Sequence, residues 1–338
     1  MNLIFDSQSR RSFLKNTAVL PLLAGALNPL STAWAEFGPP KRVGGAFLKP
    51  SLNVYSFLEL LNANMKDKSK GMDLFQACDF CAKCDFHAVD LTGYFFPGYP
   101  NAPENKYLFA LKRHAFDLGL AISGTGVRND FTTADKAVRD EGVQRIKTWI
   151  EVAAKLGAPT VRAFADSQAP FKNWQSASGN ASRESVETYM ANSLRECAVH
   201  GEKFGVIVAV QNHGDFINTG AEHVSLLKHV DHPWCSAMVD TGKYMTDDPY
   251  IDIAIMAPYA VNWQIKEMLY SKADAPRTDL TKLLSIIRRS GYRGYLPIET
   301  LSMNRPGYDS YAEVSRMLTE LNEAIAATSN IAKEQAVK

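Results

Sequence analysis

Short apolar runs that stop abruptly in polar side chains recur along this chain, with helical periodicities filling the intervals between them. The sharpest example runs from Val206 to Val210, wholly apolar, and gives way at once to Gln211, Asn212, His213 and Asp215. Such a run suits a strand buried on both faces of a parallel sheet. Downstream, Met238-Val-Asp240, Val261 to Glu267 and Leu296-Pro-Ile-Glu299 repeat the design. In each, an apolar run delivers a metal- or proton-competent side chain at its C-terminal end.

Upstream the same alternation predicts strands at Leu52–Phe57, His87–Thr92, Leu120–Val127 and Thr160–Asp166. Helical spacing predicts helices over Asp73–Lys83, Glu104–Leu118, Ala134–Leu156 and Glu184–Phe204. Gly157 sits where a left-handed cap would end the third of these. The second half of the chain continues with helices at Glu222–Val230, Tyr250–Met256, Leu280–Ser290 and Ser310–Ala327, alternating with strands at Cys235–Asp240, Ala260–Glu267 and Tyr295–Thr300. Tyr94 to Pro100 is aromatic and turn-rich, a loop whose rings either pack on a rim or form a stacking wall for a sugar. Ser167 to Ser182 is a long polar loop of the kind that often carries function.

About eight strand–helix units without an obligatory hairpin argue for a parallel sheet with helical crossovers, closed as a (β/α)8 TIM barrel. An open doubly wound sheet would show a phosphate-binding glycine loop after an early strand, and neither G-x-G-x-x-G nor G-x-x-x-x-G-K-[ST] occurs. The expected organisation is a barrel over 51–327, a linker or arm over 36–50, and a frayed polar tail over 328–338. Residues 1–35 read as an export signal. Arg10 and Arg11 are adjacent, a modestly apolar stretch follows, and Ala33-Trp34-Ala35 fits the small-x-small cleavage rule. The paired arginines point to the twin-arginine route, hence to a periplasmic or otherwise exported protein with no stable membrane anchor after cleavage.

Composition narrows the function classes. With 338 residues, 46% apolar and 22% charged, the chain can bury a full-sized core. Its net charge of +1 provides no electrostatic footprint for nucleic acid. Its five cysteines cannot all pair internally. Cys78, Cys81 and Cys84 follow a spacing that invites a metal reading, but the segment is helical and puts the thiols on a broad apolar face. Buried small residues are the better account.

Val208-Ala-Val-Gln-Asn-His213, Met238-Val-Asp-Thr-Gly242, Gln264-Ile-Lys-Glu267 and Pro297-Ile-Glu299 together resemble the xylose-isomerase-like superfamily of TIM barrels, which includes sugar phosphate isomerases and epimerases. The resemblance covers about residues 50 to 325 and extends to Leu52–Ser56, Cys81–Thr92 and Val161–Phe164. It implies a divalent cation held at the ends of strands five to eight by Glu, Asp, His and Glu. Carried over residue by residue, the set in this chain is Gln211, Asp240, Gln264 and Glu299. Two positions match and two are neutral amides, which bind transition ions more weakly than carboxylate or imidazole. Mn²⁺, Mg²⁺, Co²⁺ or Zn²⁺ are the implied ions, held weakly.

The resemblance also implies proton abstraction next to a carbonyl of a small-molecule carbohydrate, often with two glutamates as acid/base groups. Gln211 cannot exchange a proton. Glu299 is left as the matching base, with His213 or Lys266 as its partner. Arg128 and Arg162 are candidates to hold substrate oxygens, as is Asn212. Asp215 would orient His213. Lys243 is a further candidate to pair with substrate, and Glu267 is expected to face outward. Two other readings stand beside the isomerase or epimerase: a lyase or hydratase acting on oxidised keto-glycosides, and a non-catalytic carbohydrate-binding barrel. A homo-oligomer is compatible with all three. The DNA-repair branch of this fold needs more histidines than the seven here and a basic surface, so nucleic acid is excluded as a partner.

Overall fold

A computed structural model describes residues 38–271 and 275–331. The export segment expected over 1–35 lies outside the described residues, as does most of the expected tail. Eight parallel strands close in sequence order into a barrel. In chain order the elements are β1 (Phe47–Asn53), α1 (Leu58–Lys66), α2 (Leu74–Lys83), β2 (Ala88–Thr92), α3 (Asn105–Asp117), β3 (Ala121–Gly126), α4 (Lys136–Leu156) and β4 (Thr160–Phe164). They continue with α5 (Trp174–Ala177), α6 (Arg183–Phe204), β5 (Ile207–Gln211), α7 (Gly220–Val230), β6 (Cys235–Asp240), α8 (Pro249–Met256), β7 (Ala260–Lys266), α9 (Leu280–Arg289), β8 (Arg293–Glu299) and α10 (Ser310–Ala327).

Closure comes from β1 pairing with both β2 and β8, with Ser51 opposite Ala88 on one side and Pro297 on the other. The first strand begins at Phe47, inside the stretch expected to be a linker, and ends at Asn53 rather than Phe57. Gly44, Gly45 and Pro50 hide it from a propensity reading, because closure of the barrel outweighs local preference. Residues 54–57 form a tight turn instead, and α1 follows where no helix was expected. Arg42, in the arm ahead of β1, donates to the carbonyls of Ala257, Ser290 and Ala260, which ties the arm across the N-terminal end of the barrel.

The helices carry their own start and stop signals. Asp73 and Gln76 form a reciprocal capping box at α2, and Thr219 and Glu222 do the same at α7. Gly157 ends α4 at φ 82°, a conformation that an L side chain rarely adopts. Leu280, Leu283, Leu284 and Ile287 on α9 illustrate the buried stripe by which each crossover helix packs on the sheet. Cys78 and Cys81 are fully buried on α2 and all five cysteines are free, so they serve as small core residues. Burial pushes the Cys78 thiol up to about 12, so it stays protonated.

Inside the barrel, successive strands contribute alternate side chains to layers. The Asn262 amide donates to Asp90 at 3.1 Å and to Thr160 at 3.2 Å, forming a buried polar layer below the mouth. Above it, at the C-terminal ends of the strands, lies the layer that concerns function. No helix among the described residues is long and apolar enough to cross a membrane.

Candidate active site

Period-2 alternation brings Gln211, Asp240, Gln264, Lys266 and Glu299 to the inner face of β5 to β8, and all five are buried. Their arrangement follows from which atoms can donate. Asp240 accepts the backbone N–H of Gly242 on Oδ1 at 3.0 Å and the Gln211 amide on Oδ2 at 2.7 Å. A carboxylate can only accept, so the Gln211 nitrogen must face it. That leaves Gln211 Oε1 without a partner, and Gln264 Oε1 is likewise buried and unpaired. Orphaned acceptors of this kind are uncommon in native interiors, where water, an ion or a ligand commonly supplies the missing donor.

Lys266 is the centre of the cluster. Its Nζ donates to Glu299 Oε1 and lies 3.6 Å from Asp240 Oδ2. Burial alone would push this ammonium down, but Asp240 and Glu299 outweigh burial and hold it above its ordinary value. One ammonium therefore sits between two carboxylates. The residues carried over as a cation-binding set surround this lysine.

That occupancy decides how well a divalent ion fits. With Lys266 in place, the only two formal negative charges of the set already share a cation. An added ion would face an ammonium and two neutral amides. Among the described residues, no group of three or more His, Cys, Asp or Glu side chains is placed to hold a metal. As folded, with Lys266 between its two carboxylates, this donor set does not fit a divalent cation.

His213 lies two residues beyond β5. Its Nδ1 is 2.9 Å from Asp166 Oδ2, and its ring packs 4.5 Å, centroid to centroid, from Phe164. The expected orienting carboxylate was Asp215. Asp215 is turned away instead, accepting from the Ser167 backbone and hydroxyl and from the Trp174 backbone, which pins the loop after β4. The signal for Asp166 was present in the sequence as an acid just past an apolar strand, but nearness along the chain favoured Asp215. Burial and then the charge of Lys243 push the His213 imidazole down, to about 3. Burial and then Asp215 raise Asp166 to about 7. The ring is neutral at rest. Gly214 permits this approach, since a Cβ there would lie 2.5 Å from the Asp166 Cβ.

The remaining candidates separate. Arg162 is buried, donates to the Tyr94 hydroxyl, and lies 4.4 Å over the Phe164 ring, with Nε unpaired. Arg128 is exposed on the rim, 4.7 Å over the Tyr94 ring, and donates to Gln168. It borders a cleft of about 570 Å³ lined also by Gln168 and Phe171. Asn212, a candidate either for substrate contact or for backbone hydrogen bonding, uses both ends of its amide on the backbone of Asp240, donating at 3.0 Å and accepting at 2.8 Å. It staples β5 to β6. Lys243 is half-buried just beyond β6. Phe96 and Tyr99 of the aromatic loop pack edge-on against Trp149, while Tyr94 serves the two arginines. Glu267 faces outward, as expected.

Comparison with known proteins agrees with the fold. The D-psicose 3-epimerase of Clostridium cellulolyticum H10 superposes with a TM-score of 0.64 at 16% identity, over 84% of this chain and 99% of that one. An L-ribulose 3-epimerase matches at 0.64 and 15% identity, over 86% and 98%. The 3-keto-D-glucoside 4-epimerase of E. coli matches at 0.62 and 12%, over 82% and 99%. At these identities the likeness establishes the fold. A family model described as xylose isomerase-like TIM barrel matches residues 78–321, which is most of the chain. The protein belongs to the xylose isomerase-like TIM barrel family.

Proposed function

We propose that the protein is a sugar isomerase or epimerase that moves a proton on the carbon next to a carbonyl of a carbohydrate or keto-sugar. The observation that supports this most is the buried Glu299–Lys266–Asp240 cluster at the ends of β6 to β8, in a layer that also holds the unpaired amide oxygens of Gln211 and Gln264. Glu299 uses one oxygen to accept from Lys266, and its other oxygen is the proton acceptor. As the C–H bond breaks, its electron pair forms the C=C bond of an enediol or enediolate, and the carbonyl π electrons move onto oxygen. Negative charge grows on that oxygen in a site already built around a cation, where low dielectric strengthens the interaction. The sugar epimerases that share the fold are consistent with this class of chemistry.

His213 supplies a second group on the far side of the mouth, since β5 and β8 stand three strands apart around the closed sheet. Asp166 fixes the orientation of its ring. Return of the proton to the same carbon from the opposite face gives an epimer, whereas its delivery by Glu299 to the former carbonyl carbon, with a proton shifting between the two oxygens, gives an isomer. Arg162 and the orphaned amide oxygens recognise hydroxyl and carbonyl groups. Arg10, Arg11 and the Ala33-Trp34-Ala35 site support export by the twin-arginine route, so the sugar would be met outside the cytoplasm.

Incubation with a panel of keto-sugars and aldoses in D₂O tests the proposal. Solvent deuterium should enter at the carbon next to the carbonyl, and Glu299→Gln should stop it. Sugar binding without deuterium uptake or product, unaffected by Glu299→Gln, would replace the enzyme with a carbohydrate-binding barrel.

A further inference from the structure

We propose that Lys266 is a built-in replacement for a divalent cation, so that the site works without metal and its side-chain ammonium is the electrophile. As an account of catalysis, this rests on the enzyme reading above. As an account of what occupies the site, it stands independently.

The first argument is position. The Lys266 ammonium contacts Glu299 Oε1 and lies within 3.6 Å of Asp240 Oδ2, between the two carboxylates best suited to ligate an ion. Lys266 is 5% exposed, so it cannot swing out to solvent without unpacking the inner end of β7. Its backbone is fixed as well. Lys266 N–H donates to the Thr241 hydroxyl at 2.9 Å, and that hydroxyl donates to the Gln264 carbonyl. The ammonium is delivered to this point by the β6–β7 junction.

The second argument is charge balance. Two carboxylates and one ammonium sum to −1, while Gln211 and Gln264 add nothing. Two buried carboxylates around a divalent ion would be neutral, but a divalent ion added to the set with Lys266 present leaves +1 in a low-dielectric interior. Glutamate at 211 would bring the set to −2 with Lys266 present, a charge that a divalent ion would neutralise, whereas the amides hold it at −1. The lysine and the two glutamines are therefore one coordinated arrangement.

The third argument is chemistry. An ammonium has three N–H donors and no acceptor. Glu299 takes one and Asp240 lies near a second, which leaves a donor for a carbonyl oxygen. A developing enediolate oxygen would then exchange a neutral–cation contact for an anion–cation contact, strengthening in the transition state. Gln211 Oε1 and Gln264 Oε1 remain as acceptors for sugar hydroxyls, which a metal would otherwise have claimed.

The test separates occupancy from turnover. Full-length protein is purified from cells supplied with Mn²⁺, Co²⁺ and Zn²⁺, dialysed, and analysed for metal; its melting temperature is then recorded with EDTA and with added Mn²⁺. Wild type should hold far less than one ion per chain, and neither treatment should move its melting temperature. Lys266→Met removes the ammonium and leaves the two carboxylates, so Mn²⁺ content should rise about tenfold and added Mn²⁺ should raise the melting temperature. A stoichiometric ion in wild type, with melting lowered by EDTA, overturns the proposal whether or not the variant folds. A folded Lys266→Met that gains no metal response also counts against it. Absence of deuterium uptake in wild type both metal-free and with added Mn²⁺ would sink the enzyme reading alone.

Discussion

Lys266 and Glu267 are neighbours at the end of β7, yet they belong to charged clusters of opposite design. Lys266 faces the barrel axis, where one cation serves two carboxylates and nearby amide oxygens go unpaired. Glu267 faces outward, where one buried carboxylate serves three guanidinium groups. Its Oε1 accepts from Arg277 at 3.2 Å, Arg305 at 3.0 Å and Arg316 at 2.6 Å, and its Oε2 accepts from Arg305 at 2.7 Å. Those arginines come from the segment before α9, the loop after β8, and α10, so one carboxylate clasps three pieces of the barrel wall. Both of its oxygens are paired. The inner cluster keeps unsatisfied acceptors in the interior, a cost that stability alone does not explain. A satisfied network holds a fold together, while a partly open one is built for a ligand.

The largest expected difference between the two clusters lies in activity. Glu299→Gln should lower deuterium exchange about a thousandfold, the middle of the range for losing a positioned base. Its melting temperature should stay close to wild type, because Lys266 keeps Asp240 and an amide oxygen as partners. Glu267→Ala should do the reverse. Three arginines lose their common partner at a site where the carboxylate is only 1% exposed, at a cost of about 3–5 kcal/mol of stability in denaturant unfolding. Catalysis in the surviving folded fraction should change little. A Glu267 variant that melts normally but loses activity would erase the distinction.

Smaller effects sharpen it. Asn212→Ala removes the staple between β5 and β6 and should destabilise by about 1–3 kcal/mol, leaving buried backbone groups of Asp240 unpaired. Its effect on exchange should be modest and should appear mainly in kcat, through displacement of Asp240, without the selective loss of affinity expected of a substrate contact. His223 provides a control that is purely structural. It is fully buried between the Tyr244 hydroxyl and the Val210 carbonyl, and burial lowers it from 6.5 to about 4. The unfolded chain therefore takes up this proton first as pH falls, so stability should decline from about 6.5 to about 4 and be flat above. His223→Gln should flatten that decline in pH-dependent melting without changing the pH profile of exchange.

How much of this was legible in the sequence differs between fold and site. Most of the strands and all of the crossover helices between β2 and α10, short α5 apart, followed from apolar runs and helical spacing, because each is locally consistent. The start of β1 was not legible, since Gly45 and Pro50 argue against a strand that only barrel closure makes worthwhile. In the site, strand-end polarity correctly gathered Gln211, Asp240, Gln264, Lys266 and Glu299. Their roles were not legible, because which cation the two carboxylates share depends on packing between β6, β7 and β8. Asp166 and Asp215 make the same point, since the partner of His213 comes from the adjacent strand and the nearer acid is taken by a loop. Asn212 carries an amide that either a ligand or a backbone could use, and only the register of β5 on β6 decides between them.

The central claim is that Glu299 moves a proton beside a lysine ammonium standing where a metal would otherwise be needed. It is tested most directly by following solvent deuterium uptake into a keto-sugar by full-length protein stripped with EDTA. The account predicts uptake at the carbon next to the carbonyl, undiminished by stripping, not increased by Mn²⁺, and lost in Glu299→Gln. Uptake that disappears on stripping and returns with Mn²⁺ would contradict it.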